Sequence, residues 1–200
     1  MIEKLNKTYQ FILASRSPRR QRLIHDLGLR FSLRKSALEE EIIPEDMPEE
    51  EIACSLARQK AELTELKEEN ELIITADTIV WHKDRVLGKP RDYSDAFQML
   101  KRLSGEMHSV ITGICLRDKN GLESFYAETL VHFTSITDEE IRNYLERYKP
   151  YDKAGAYGIQ EWIGYIGIDH IEGSYYNVVG LPVQLLYDRL KNRLQQNQLM

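Results

Sequence analysis

Cysteine is scarce in this chain. Cys54 and Cys115 are the only two, far apart and in no metal-ligand spacing. A disulfide framework is not expected, and a reducing compartment is. Long apolar runs are missing as well. No window approaches the ~20 residues of a membrane span, and the opening "MIEKLNKTYQ" has no apolar core of signal-peptide length. A soluble cytoplasmic protein without a membrane partner is predicted. Positive charge is not in excess either. The formal net charge of −5 argues against a general nucleic-acid binder, which presents a basic face. Phosphate-cradling glycine loops are absent. The one Gly-Lys pair, Gly88-Lys89, runs into Pro90, so there is neither a Walker loop nor a dinucleotide fingerprint. His25, His82, His108, His132 and His170 show no zinc spacing. There is no internal repeat and no low-complexity segment.

What is present suits a folded enzyme-sized domain. The composition, 42% hydrophobic and 30% charged, provides both a core and a solvated surface. A single domain over residues 1–200 is expected. Short apolar runs at Phe11–Ala14, at Phe31–Lys35 and in "ELIITADTIVWH" read as strands. A helix capped by Ser17, with Pro18 at its first position, runs to Gly28. Pro48 opens a second, predicted to reach about Lys67 with Ile52, Leu56, Leu63 and Leu66 on its apolar side. Asp92 caps a third over Tyr93–Leu103, closed by Gly105. "DKNG" joins two strand-like runs, 107–117 and 122–134. Thr137 and Glu140 form a capping box for a helix to about Tyr148. "IGYIGIDHIEGSYYNVVGLP" reads as short strands and turns, and Pro182 starts a last helix to about Leu194. The mixture predicts an α/β or α+β fold, a mixed sheet with flanking helices.

Several stretches carry chemistry. "ASRSPRR" puts Ser15, Ser17, Arg19 and Arg20 at a helix N-terminus, where free N–H groups and the dipole favour an anion. Arg19 and Arg20 oppose that dipole, a broken local rule that suggests function. The bland reading is a capped surface helix with solvated arginines, and Arg16 is assigned to solvent. Asp77 in "TADTIV" interrupts an apolar strand. Such a carboxylate is a cation ligand, a general base for water, or a turn residue. Lys89 in "GKP" and Lys60 in "ARQKA" are phosphate contacts or exposed lysines. The acidic run at Glu39, Glu40 and Glu41 is solvated, or contributes a ligand to a hard divalent cation. In "DKAGAYGIQEW", Gln160 has a donor and an acceptor suited to a nucleobase edge, and Tyr157 packs on a ring or fills core.

Taken together, "ILASRSPRR", "ARQKA", "ADTIV", "LGKPRD", "DKAGAYGIQ" and "GSYYNVVGLP" occur in the order seen in the Maf family of nucleoside triphosphate pyrophosphatases. The resemblance covers about residues 10 to 190. It implies a mixed twisted sheet in two lobes around a cleft, like the inosine triphosphate pyrophosphatases (Ham1). It implies hydrolysis of a nucleoside triphosphate to monophosphate and pyrophosphate with a divalent cation such as Mg²⁺, Mn²⁺ or Co²⁺. Family members are cytoplasmic, often homodimeric, and linked to septum formation. By position, Asp77 matches the family's proton acceptor. Ser15, Arg20, Lys60 and Lys89 match polar cleft positions that meet phosphate. Glu39, or Glu40 by a shift of register, matches a metal-binding acid beside Asp77. Arg19, Thr78 and Gln160 match positions tied to substrate choice, and the set resembles the dTTP/UTP subgroup. "QEWIGYIGIDHIEG" is bulkier than the glycine-rich form common there. Other readings remain: a different base specificity, or a non-enzymatic nucleotide-binding regulator of cell division.

Overall fold

The structure is a computed structural model, described over residues 1–37 and 47–196. In chain order its elements are α1 (Ile2–Thr8), β1 (Gln10–Leu13), α2 (Pro18–Asp26), β2 (Phe31–Leu33), α3 (Glu49–Glu62), β3 (Glu71–Trp81), β4 (Val86–Leu87) and α4 (Tyr93–Leu103). There follow β5 (Met107–Asp118), β6 (Gly121–Phe133), α5 (Asp138–Tyr148), a 3₁₀ turn (Ala154–Ala156), α6 (Trp162–Gly167), β7 (Ile168–Glu172), α7 (Tyr175–Val179) and α8 (Val183–Gln196). The strands order as β2-β1-β3-β5-β6-β7, with β4 beside β3. The pairs β1–β2 and β1–β3 are parallel, whereas β3–β4 and β6–β7 are antiparallel. The sheet is mixed and flanked by helices, as the sequence predicts.

The chain divides into two compact units. Met1–Asp77, Thr112–Ala127 and Gly180–Met200 form the first, and Thr78–Ile111 with Glu128–Val179 the second. In the first unit, side chains alternate along the strands. Phe11, Leu13, Leu72 and Ile74 join one apolar cluster with α2 and α8, while Ile12 and Ile73 join another. Both faces of these parallel strands are covered, which explains their unbroken apolar runs. Helix α3 lies on β5 through small residues. Ala53, Ala57 and Ala61 are fully buried, and a Cβ on Gly113 would come 2.3 Å from the Ala53 main chain. In the second unit the core gathers Val80, Leu100, Val131, Phe133, Ile141 and Tyr144. There α4 is capped by Asp92, and α5 carries the full Thr137–Glu140 capping box.

Three local expectations are corrected. Helix α3 stops at Glu62 rather than about Lys67. The Arg117 guanidinium donates to the carbonyls of Ala61 (2.8 Å), Glu62 (3.1 Å) and Thr64 (2.8 Å), taking the acceptors that another turn would need. Leu63 is therefore exposed rather than on the apolar face. Strand β2 ends at Leu33, because Arg34 turns to a buried carboxylate. Its guanidinium meets Glu71 bidentately at 2.5 and 2.7 Å. Finally, "IGYIGIDHIEGSYYNVVGLP" is not strands and turns alone: "IGYIG" lies in helix α6, and "SYYNVVG" contains helix α7. It is anchored by buried Asn177, whose amide donates to the Val110 carbonyl at 2.9 Å and to Thr129 Oγ1 at 3.0 Å.

Candidate active site

The residues of the expected anion site lie at the capped N-terminus of α2. The Ser17 side chain accepts from the Arg20 N–H at 3.4 Å, and the Ser17 N–H donates to Ser15 Oγ at 3.2 Å. Arg16 is exposed, as assigned, and Arg19 is half-buried. Arg20 turns inward. Its Nη1 donates to the Ala76 carbonyl at 2.7 Å and its Nε to the Gly180 carbonyl at 2.8 Å. Two carbonyl dipoles thus offset a cation that the helix dipole disfavours. They also make Arg20 a tie between the residue before Asp77 and the segment leading into α8, a role the sequence does not disclose.

Asp77 sits near the middle of β3 with its side chain 13% exposed. The Lys60 ammonium, on α3, lies 2.5 Å from Asp77 Oδ1. Two further bonds fix the lysine's own turn. The Lys60 carbonyl accepts from Thr64 Oγ1 at 2.6 Å and from Ser36 Oγ at 3.0 Å. One pleat before Asp77, on the same face of β3, Thr75 Oγ1 donates to the Ala57 carbonyl at 2.6 Å. Helix and strand are therefore pinned twice, once by a neutral bond and once by an ion pair. Ser15, Arg20, Lys60 and Asp77 all belong to the first unit.

Among the described residues no group of three or more His, Cys, Asp or Glu side chains could hold an ion. Asp77 supplies hard oxygen, the donor a magnesium-like cation prefers, and such ions take one or two carboxylates with the rest from substrate oxygens and water. Glu39 and its neighbour Glu40 lie outside the described residues.

Thr78, Lys89 and Gln160 belong to the second unit. Thr78 and Gln160 are half-buried, and Lys89 is exposed. The turn carrying Lys89 and the loop carrying Gln160 are joined by the Gly155 N–H, which donates to the Gly88 carbonyl at 3.1 Å. Gly155 has φ +66°, and a Cβ there would come 3.0 Å from Val80. Tyr157 fills core. Its hydroxyl lies 2.7 Å from His108 Nε2, and its ring packs edge-on against Phe133. Burial, aided by His82 and His132, lowers the His108 pKa to about 3, so the imidazole is neutral.

A polar network around this loop escaped the sequence reading. Tyr144 is fully buried on α5. Its hydroxyl donates to Glu161 Oε2 and accepts the Gly158 N–H at 3.1 Å. Lys153 Nζ meets Glu161 Oε1 at 3.0 Å and Asp152 Oδ1 at 2.8 Å. The available signal was a lysine and a glutamate flanking a glycine-bearing loop, which is uninformative until the loop closes.

Comparison with known proteins adds the following. Residues 10–193 match the family model described as Maf-like protein. The chain is 50% identical to a dTTP/UTP pyrophosphatase of Parabacteroides distasonis, over 96% of this chain and 100% of that protein. It is 51% identical to one from Phocaeicola vulgatus, over 96% and 99%. A third, from Porphyromonas gingivalis, is 47% identical over 96% and 98%. A solved HAM1 protein from Coxiella burnetii aligns with a TM-score of 0.36 at 16% identity, covering 62% of this chain and 73% of that one, a likeness too loose to argue from.

Proposed function

The chain belongs to the Maf family, and from that premise we propose that it hydrolyses dTTP and UTP to the monophosphate and pyrophosphate. The observation that carries the reading is the Lys60–Asp77 pair beside a capped helix N-terminus, in a chain about half identical to dTTP/UTP pyrophosphatases along nearly its whole length.

In this reading Asp77 is the proton acceptor. A water gives its proton to the carboxylate as its oxygen bonds to phosphorus, the α–β anhydride breaks, and pyrophosphate leaves. Lys60 holds the carboxylate in one orientation, so no reorganisation is needed at the moment of reaction. Ser15, Arg20 and the helix end meet phosphate oxygens, and Lys89 adds a point charge. A divalent cation such as Mg²⁺, Mn²⁺ or Co²⁺, held by Asp77 and Glu39 with substrate oxygens, would neutralise phosphate charge. Arg19, Thr78 and Gln160 select the base. A pocket that hydrogen-bonds one base edge rejects others, because mismatched polar groups go unpaired. A cytoplasmic homodimer completes the proposal.

The test is a panel of the common nucleoside triphosphates and modified pyrimidine triphosphates assayed for pyrophosphate with each of the three cations. Preferential turnover of dTTP and UTP is expected. Preferential turnover of purines would replace the base assignment. Tight nucleotide binding without turnover under any cation would favour the non-catalytic regulator.

A further inference from the structure

The geometry points to Tyr144, Glu161 and Lys153 as positioning residues for base selection, acting by fixing the main chain on either side of Gln160. The inference rests on Gln160 reading the base.

The segment carrying Gln160 is held at three main-chain groups. The Gly158 N–H donates to the Tyr144 hydroxyl at 3.1 Å. The Glu161 N–H closes back on the Gly158 carbonyl at 2.9 Å. The Gln160 carbonyl accepts from the Tyr165 hydroxyl at 3.2 Å. The Gln160 side-chain amide, by contrast, has no hydrogen-bond partner among the described residues and is half-buried. It lies over Gly158, where a Cβ would come 3.0 Å from its Nε2. A rigid peptide frame presenting an amide with its donor and acceptor unspent suits the recognition of an external ring edge.

The frame is built at a cost that stability alone does not explain. Glu161 is 18% exposed and Lys153 only 9%, so both charges are largely removed from water. Apolar groups of similar volume would often serve stability as well or better. What the ionic version supplies is direction. The carboxylate faces an ammonium on one side and a buried phenol on the other, which leaves it one orientation. The phenol passes that orientation to the Gly158 amide.

The experiment compares wild type with Tyr144→Phe, Glu161→Gln and Gln160→Ala. Steady-state kinetics are measured with UTP and GTP, alongside thermal unfolding. The phenylalanine loses both hydroxyl bonds. The glutamine turns a donor toward Lys153. Misplacement of a positioned group by about 1 Å costs on the order of 100-fold. Tyr144→Phe and Glu161→Gln should therefore lower the UTP:GTP ratio of kcat/KM by about 10- to 100-fold. The loss should appear mainly as a raised KM for UTP, with GTP turnover little changed. A merely structural role would lower both substrates together, in step with unfolding temperature. If Gln160→Ala abolishes the preference while both network variants keep it, the positioning role is wrong and the base-reading role stands. If Gln160→Ala itself keeps the preference, Gln160 does not read the base and the inference falls with it. Should Tyr144→Phe not fold, Glu161→Gln decides by the same criteria.

Discussion

Lys60 Nζ lies 2.5 Å from Asp77 Oδ1, joining the middle of a long strand to a helix that rests directly on the sheet. The pair is seventeen residues apart in sequence and is held by independent contacts on both sides. Thr75 and Ala57 are bonded one pleat away, and the Lys60 carbonyl is taken by Ser36 and Thr64.

Asp77→Asn should keep the fold and remove the proton acceptor. Pyrophosphate release from dTTP and UTP should fall by about 10²- to 10⁴-fold, the usual worth of a general base. Circular dichroism checks the fold. Wild-type turnover in this variant would end the case for Asp77.

Lys60→Met tests orientation apart from proton transfer. It leaves a mostly buried carboxylate without its ammonium, which destabilises the local structure by about 3 kcal/mol or more. Turnover should fall for every triphosphate, and Lys60→Arg should restore part of it. Equal activity for Lys60→Met and wild type would show that Asp77 works unaided.

Arg20 and Arg19 should separate. Arg20→Lys keeps the charge but loses the fork that meets Ala76 and Gly180. A loss of about 2 to 4 kcal/mol in unfolding free energy is expected from two charged hydrogen bonds to carbonyls. Activity should fall across all substrates. Arg19→Trp should instead change which triphosphate is preferred. A uniform loss for Arg19→Trp would remove it from base selection.

Glu71 sets an acid limit on the fold. Its bond to Arg34, reinforced by the Lys67 N–H, holds its carboxyl at about 2 against an ordinary 4.5. A depressed folded-state value stabilises above the unfolded value and is lost as pH falls from about 4.5 to about 2. The full difference corresponds to about 3 kcal/mol at 1.36 kcal/mol per unit. Denaturant titrations of wild type and Glu71→Gln should therefore show the wild-type advantage shrinking across that window. A constant gap between pH 6 and pH 2.5 would exclude the linkage.

Much of the framework was legible because it is local. Ser17, Asp92 and the Thr137–Glu140 box cap the helices they were expected to cap. Asp77 stands within a strand that continues through it, since one carboxylate satisfied by a neighbouring helix does not break a ladder. The misses are non-local. Arg117 ends α3 from more than fifty residues away, and no propensity within the helix announces that. Arg20 finds carbonyls 56 and 160 positions along the chain. Its broken dipole rule was visible, but not the groups that answer it. The Tyr144–Glu161–Lys153 network was hidden for the same reason, because a tyrosine at helical spacing reads as core until its hydroxyl meets a partner.

The contact of α3 with β5 bears on how still the lysine can be. Side chains with several torsions give an interface mechanical play, each rotamer hop shifting what they support. Alanine has no such torsion, and glycine has no side chain at all. Through Ala53 and Gly113 the helix sits on the strand peptide against peptide. Lys60 therefore inherits its position from the main chain, and the jitter available to it is that of its own four-carbon stem.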